Sequence, residues 1–297
     1  MRKRRKIGLL WAALLLALLL AGCQPALLPE PSTIPYRDME LEVLPDVPAS
    51  GLEPAGFALE ADGRVVYESG GLRAKEGIDV SFYQKEIDWQ AVAEDGVEFA
   101  MIRLGYRGYT QGGLNLDSRF AENIRGAQEA GIEVGVYFFS QAITPQEAEE
   151  EADFVLAALE GYELSYPVAY DWEFITPGNG ARTDGMDGET LTQCALAFCR
   201  RIEEGGYRPA VYFNQELGYL TYDLSRLTEY PIWLAEYDDA PDFHYAFDLW
   251  QYTDSGSVAG IQGPVDRNLD FAPLQNRRCT IIERPDIPRN IGAFLRF

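Results

Sequence analysis

The run PVAYDWEF, residues 167–174, sets two acids one residue apart within an apolar stretch. Successive side chains of a strand face opposite sides, so Val168, Tyr170, Trp172 and Phe174 share one face while Ala169, Asp171 and Glu173 share the other. The first face reads as core. The second carries two carboxylates roughly 6–7 Å apart along the backbone. Burying a charge without a partner is costly, so the acids either meet a cation such as Arg103 or face a cleft. Carboxylates paired at a cleft do the proton work of breaking a glycosidic bond.

What must position these acids is an alternation of strands and helices that begins at Gly77. GIDVS, FAMIRLGY, EVGVYFFS and PVAYDWEF read as the first four strands, and PAVYFN, YPIWLAEY and FDLWQYT as the next three. The intervening helices are IDWQAVAEDG, LDSRFAENIRGAQEAG, TPQEAEEEADFVLAALEG and the stretch around Leu191–Glu204. In the third of these, Thr144 is the expected cap and Pro145 the first helical residue. Only short or irregular segments separate the later strands, and VDRNLDF could close the sheet as an eighth. Strands alternating with helices imply a parallel sheet. The fold class is α/β: an irregular (β/α) barrel of about eight strands with some helices reduced or missing, preceded by a signal peptide, a linker and a small β-hairpin. An open doubly wound sheet is the alternative. No Gly-rich phosphate loop follows a strand, which weakens nucleotide-binding readings.

Functional residues of such a barrel gather at the C-terminal ends of its strands. Those ends carry Asp79, Arg103 and Tyr106, Tyr137 and Phe139, Asp171 and Glu173, Tyr212 and Asn214, Glu236 and Tyr237, then Trp250, Gln251 and Tyr252, with Asp266 on the last piece. Acids and aromatic rings converging on one rim suit a carbohydrate cleft. The competing reading makes Asp171 and Glu173 structural partners of an arginine.

The segments GIDVSFYQKEIDW, AMIRLGYRGY, LDSRFAENIRGAQEAGIEVGVYFFSQA, AYDWE, PAVYFN, YPIWLAEY and LWQYTDSGSVAGIQGPVDRNLDF, in that order, resemble glycoside hydrolase family 25, the Chalaropsis-type muramidases. The resemblance spans about residues 77–274. It implies that Glu173 is the general acid at the bond between N-acetylmuramic acid and N-acetylglucosamine. Asp171 would stay ionised facing the sugar, while Asp79 and Asp266 shape the field and position sugar or water. Tyr137, Tyr212, Trp250 and Gln251 match groove positions, and Phe139, Glu236, Tyr237 and Arg103 join them from their places at strand ends. The sequence departs from the family at Phe138, where many members have histidine, at Lys85, and at Tyr109-Thr110. Two close carboxylates resist joint ionisation, and the more desolvated one keeps its proton. Aromatics of the third and fifth strands are expected to desolvate Glu173, with Trp172 and Phe174 packing the other face. The spacing suits attack by the substrate's own N-acetyl group oriented by Asp171; inversion by water and double displacement stay open. A chitinase-like barrel is the rival enzyme, but it needs a further aspartate where Ala169 stands. A surface-tethered glycan-binding protein without activity is the rival of another class.

The chain's first 23 residues, MRKRRKIGLLWAALLLALLLAGC, have the basic start, apolar run and small residues of an export signal. Leu20-Ala21-Gly22-Cys23 resembles the bacterial lipobox, which predicts cleavage after residue 22 and a lipid on Cys23. An uncleaved anchor helix is the alternative. The expected divisions are 1–22 signal, 23–76 lipidated cysteine, Pro-rich linker and hairpin, 77–274 barrel, and 275–297 tail. The linker, residues 24–56, is read as an extended tether on its seven prolines, and GFALEADGRVVYESG as the hairpin turning at Asp62-Gly63. The chain carries 25 basic against 47 acidic residues, and loss of residues 1–22 removes five basic and no acidic ones. So acidic a surface repels nucleic acid and other polyanions. Any wall glycan must be held by stacking and hydrogen bonds. The expected partners are peptidoglycan glycan strands and, through the lipid, the outer face of a bacterial membrane. No cofactor or metal is expected, and the chain is read as a monomer. Cys194 and Cys199 would point about 140° apart on a helix, with Cα atoms more than about 8 Å apart, so no disulfide joins them. His244 reads as a loop residue. Cys279 and the tail take no assignment.

Overall fold

The structure, a computed structural model, describes residues 32–175 and 179–271. The signal segment, Cys23 and the tail with Cys279 lie outside the described residues. The chain forms two compact units that divide between Val43 and Leu44. In the first, β1 (Thr33–Tyr36) and β2 (Met39–Glu42) pair antiparallel, Tyr36 opposite Met39. The tight turn holds Arg37 at φ 53°. This hairpin stands where the prolines predicted a plain tether; Ile34 and Tyr36 alternate as buried residues with exposed Thr33 and Pro35, the period of a strand.

The second unit opens with a small antiparallel sheet of β3 (Phe57–Leu59), β4 (Val65–Ser69) and β5 (Leu72–Arg73). The expected hairpin is its first two strands, and Gly63 takes φ 84° in the turn, a conformation that suits glycine.

The barrel follows. Its strands are β6 (Lys75–Val80), β7 (Phe99–Arg107) with the short β8 (Leu114–Leu116) folded back on it, β9 (Glu133–Ser140), β10 (Val168–Trp172), β11 (Pro209–Asn214), β12 (Ile232–Ala235), β13 (Leu249–Gly256) and β14 (Val265–Asp270). The order β6-β14-β13-β12-β11-β10-β9-β7 closes through β6 and β7. The helices are α1 (Trp89–Glu94), α2 (Phe120–Glu129), α3 (Pro145–Ala158), α4 (Gly188–Glu204) and α5 (Gln215–Leu220). Thr144 caps α3 with Pro145 in its first turn, as the sequence predicts. All barrel neighbours run parallel except β14, which is antiparallel to both β13 and β6. The connection 257–264 is too short for a parallel crossover, which takes about a dozen residues or more, so the last strand returns as a hairpin.

Phe99, Met101, Tyr166, Ala169, Ala210, Tyr212, Trp233, Ala235 and Leu249 fill the interior. Near the floor the Phe99 and Tyr166 rings stack at 4.5 Å. Gly77 makes room for them, since a Cβ there would lie 2.3 Å from the Phe99 ring. Phe57 and Tyr67 of the small sheet pack edge-on against Phe271, at 6.0 and 5.3 Å. Cys194 and Cys199 are buried free thiols of α4, as their spacing predicts.

Candidate active site

The alternation read from PVAYDWEF holds. Ala169 points into the barrel core, so Asp171 follows it on the inner face, in register between Phe139 of β9 and Tyr212 of β11. Asp171 is buried, whereas Glu173 stands just past the end of β10 and is half-buried. Asp79 shares the face of Gly77 on β6. Its Oδ2 accepts from Gln251 Nε2 and from Asn268 Nδ2, both at 2.8 Å. Asp266 lies opposite Asp79 on β14. The four acids expected to act together are therefore assembled at one end of the barrel.

A chain of hydrogen bonds fixes this floor of carboxyls. Trp233 Nε1 donates to Asn268 Oδ1 at 2.8 Å, which turns the amide N–H toward Asp79. Gln251 Oε1 accepts from the hydroxyls of Tyr212 and Tyr237, each at 3.0 Å, which turns its own amide N–H the same way. Gln251 and Tyr212, expected along the groove, are thus buried braces of Asp79. Trp233 and Asn268 carried no sequence signal, because neither residue type announces a brace.

Burial raises the pKa of all four carboxyls. Asp79 is pushed up to about 6, with the Asn268 and Gln251 bonds opposing the rise. Asp266 is pushed up to about 8, burial leading and the Asp79 charge adding. Asp171 is held well above the usual carboxylate range by burial, then by Glu173 and Asp79, and Glu173 is raised by burial and then by Asp79. Asp171 and Glu173 lie close enough to act on each other's titration, and two acids so placed resist joint ionisation. Phe139 and Tyr212 flank Asp171 in register, and the Tyr212 hydroxyl also feels the Glu173 charge, so both acids sit among these rings. Tyr137 is packed on the core beside this cluster, its hydroxyl held protonated by burial and by the Asp79 charge.

Arg103 makes no ion pair with either acid, although its charge opposes the rise at Asp171. Its Nε donates to Asp117 Oδ2 at 2.8 Å, and the same oxygen accepts the Phe82 amide at 3.1 Å. The guanidinium lies 5.1 Å from the Phe82 ring centre and 5.4 Å from those of Tyr83 and Tyr106, so Arg103 and Asp117 organise an aromatic corner. Tyr83 is 69 % exposed there, and Tyr237 and Phe174 are 54 and 55 % exposed. Phe174 keeps an edge-on contact with Trp172 at 5.2 Å, as its parity predicts, but its other side is open because β10 ends at Trp172.

Two expected groove residues lie elsewhere. Leu249 and Gln251 point inward, so Trp250 points outward; it is fully buried, edge-on to Phe57 at 5.5 Å, with Nε1 donating to Glu236 O. Glu236 alternates outward after Ala235 and accepts the backbone amides of Asp242 and Phe243 at 2.8 and 3.3 Å. It organises its own loop. A separate cavity of about 700 Å³ lies beside Ile232 and Asp248, at the opposite ends of β12 and β13, away from the four acids. Among the described residues no group of His, Cys, Asp or Glu is arranged to hold a metal ion.

A closed barrel that crowds four acids and exposed rings at one mouth is built as a glycoside hydrolase. Residues 78–261 match the model for glycosyl hydrolases family 25, and the chain belongs to that family. It is 29% identical over 192 residues to the autolytic lysozyme of Clostridium acetobutylicum, covering 65% or less of either chain: 64% of this one and 54% of that one. Its identity to Lysozyme M1 of Streptomyces globisporus is 29% over 203 residues, 65% of this chain and 66% of that one. In three dimensions it matches the modular autolysin LytC from Streptococcus pneumoniae in complex with a synthetic peptidoglycan ligand. The TM-score is 0.58 at 28% identity, over 72% of this chain and 52% of that one. The chain thus spans about half the length of the clostridial and pneumococcal proteins.

Proposed function

We propose that this chain is a peptidoglycan muramidase that hydrolyses the β-1,4 bond between N-acetylmuramic acid and N-acetylglucosamine. One observation carries the reading: a half-buried Glu173 beside a buried Asp171, at the barrel end that also holds Asp79 and Asp266. Two close acids resist joint ionisation, so one of the pair enters the reaction protonated. Glu173 is the more exposed of the two and the one that reaches the glycosidic oxygen, so the proton sits on Glu173 when the bond breaks. Asp171 is then the anion beside the developing oxocarbenium ion, and it orients either the substrate's N-acetyl group or a water. Asp79, braced by two amides, keeps negative potential under the sugar, and Asp266 stands opposite it to position sugar or water. Tyr137, Phe139 and Tyr237, with Arg103 ordering Phe82 and Tyr83, supply ring faces and hydroxyls to the glycan.

The same reading makes residues 1–22 a signal, Cys23 a lipid attachment site, 23–76 the approach to a barrel of residues 77–274, and 275–297 a tail. The enzyme then works on wall glycan from the outer face of the membrane, as a monomer. The test is a zymogram with peptidoglycan in the gel, comparing wild type with Glu173→Gln. Loss of a general acid is expected to cut turnover about 10²–10⁴-fold. Clearing that persists in the variant refutes the assignment, and wall retention without clearing by either protein favours a glycan-binding role. Mass spectrometry of the released muropeptides identifies the bond cut.

A further inference from the structure

The backbone at Glu173 has lost its strand neighbours. The ladder between β9 and β10 ends with Trp172 opposite Ser140, so the Glu173 carbonyl lies beyond it. A carbonyl so placed needs a donor. Gln141, the residue after β9, supplies one: its Nε2 donates to Glu173 O at 3.2 Å and to Ser140 O at 2.9 Å. Its Oε1 accepts from Thr183 Oγ1 at 2.8 Å. Gln141 is fully buried, both N–H groups of its amide are used, and reversing the amide would set its oxygen against two carbonyls. Thr183 is buried too, and the adjacent Arg182 reaches Glu147 of α3 through both Nη atoms, at 2.9 and 2.6 Å, and Gln141 O at 3.2 Å. The chain thus leaves the barrel at Glu173 and returns at Thr183 onto one buried amide.

We infer that Gln141, locked by the Thr183 hydroxyl, is a positioning residue that fixes the main chain of Glu173 for proton transfer. The inference rests on the acid role proposed for Glu173. Gln141 touches neither sugar nor reacting atoms; it acts by extending the β9–β10 ladder one residue beyond its backbone limit. A side chain released at that point moves the acid by fractions of an ångström, and displacements of that order are costly in turnover while leaving distant glycan contacts intact.

The test compares Thr183→Val, Thr183→Ser and Gln141→Leu with wild type on soluble peptidoglycan fragments, each checked by thermal melt for a folded population. Thr183→Val is expected to lower kcat about tenfold or more with KM within about twofold. Thr183→Ser, which keeps the hydroxyl, is expected to restore most of that loss. Adding Thr183→Val to Gln141→Leu is expected to cost nothing further, since the lock has nothing left to hold. If Thr183→Val does not fold, Thr183→Ala, which admits water to the freed amide oxygen, carries the same expectation. Unchanged kcat in Thr183→Val, a serine variant as poor as the valine, or a loss carried by KM overturns the inference. Glu173→Gln is assayed beside them. If it stays active the acid assignment fails; if it is dead while Thr183→Val is fully active, only the positioning role fails.

Discussion

Replacing Asp79 by asparagine should make the fold more stable as it makes the enzyme worse. Asp79 is buried, and its Oδ2 accepts two amide N–H groups that an asparagine carbonyl can accept equally well. The variant therefore keeps the bracing and loses only the charge. Burial raises this carboxyl from 3.8 to about 6. Below the lower value both folded and unfolded chains hold the proton. Between the two the unfolded chain releases it first, so wild-type stability falls as pH rises, and above the upper value the loss is complete. At about 1.4 kcal/mol for each pH unit, the wild type forfeits about 3 kcal/mol across that window. The advantage of Asp79→Asn should be absent near pH 3.5, grow through pH 4–6, and level off by about pH 7 at about 3 kcal/mol. Urea unfolding of both proteins at a series of pH values, with turnover measured on the same samples, reads it out. Parallel stability curves over that window would refute the reasoning, as would an Asp79→Asn protein less stable at pH 7 than wild type.

Two further outcomes follow from the same contacts. Asp117→Ala leaves the buried guanidinium of Arg103 without its carboxylate and frees the Phe82 amide, so denaturant unfolding should show a loss of about 3–5 kcal/mol; a loss under about 1 kcal/mol would mean the pair holds nothing. A strongly acidic chain that grips glycan by rings and hydrogen bonds should work as well or slightly better as ionic strength rises from about 0.01 to 0.15 M; a steep fall in wall clearing over that range would point to electrostatic capture instead.

Alternation within one strand was enough to put Asp171 and Glu173 on the inner face, and strand counting was enough to bring Asp79 and Asp266 to them. The same rule, applied without tracking parity, misassigned Trp250 and Glu236: Trp250 is the second residue of β13 and Glu236 follows β12, and Leu249 and Ala235 face inward and turn these neighbours out. Phe174 was half right: its ring meets Trp172, but it is exposed because β10 stops two residues earlier. The antiparallel β14 was available in the shortness of the connection 257–264. Asn268, Trp233, Gln141 and Asp117 were not available at all. Each acts through a contact made across the barrel or beyond a strand end, and a lone amide, indole or helix-entry aspartate has the same appearance whether it braces a site or not.

The seam between β6 and β14 joins the first staves of the barrel to the last, and Asp79 faces Asp266 across it. A nascent polypeptide that stops short of residue 265 has no Asp266, no Asn268 to steady Asp79, and two raw sheet edges. On the reading proposed above, competence to cut arrives with the final hairpin, and copies that lack it are expected to leave wall glycan uncut.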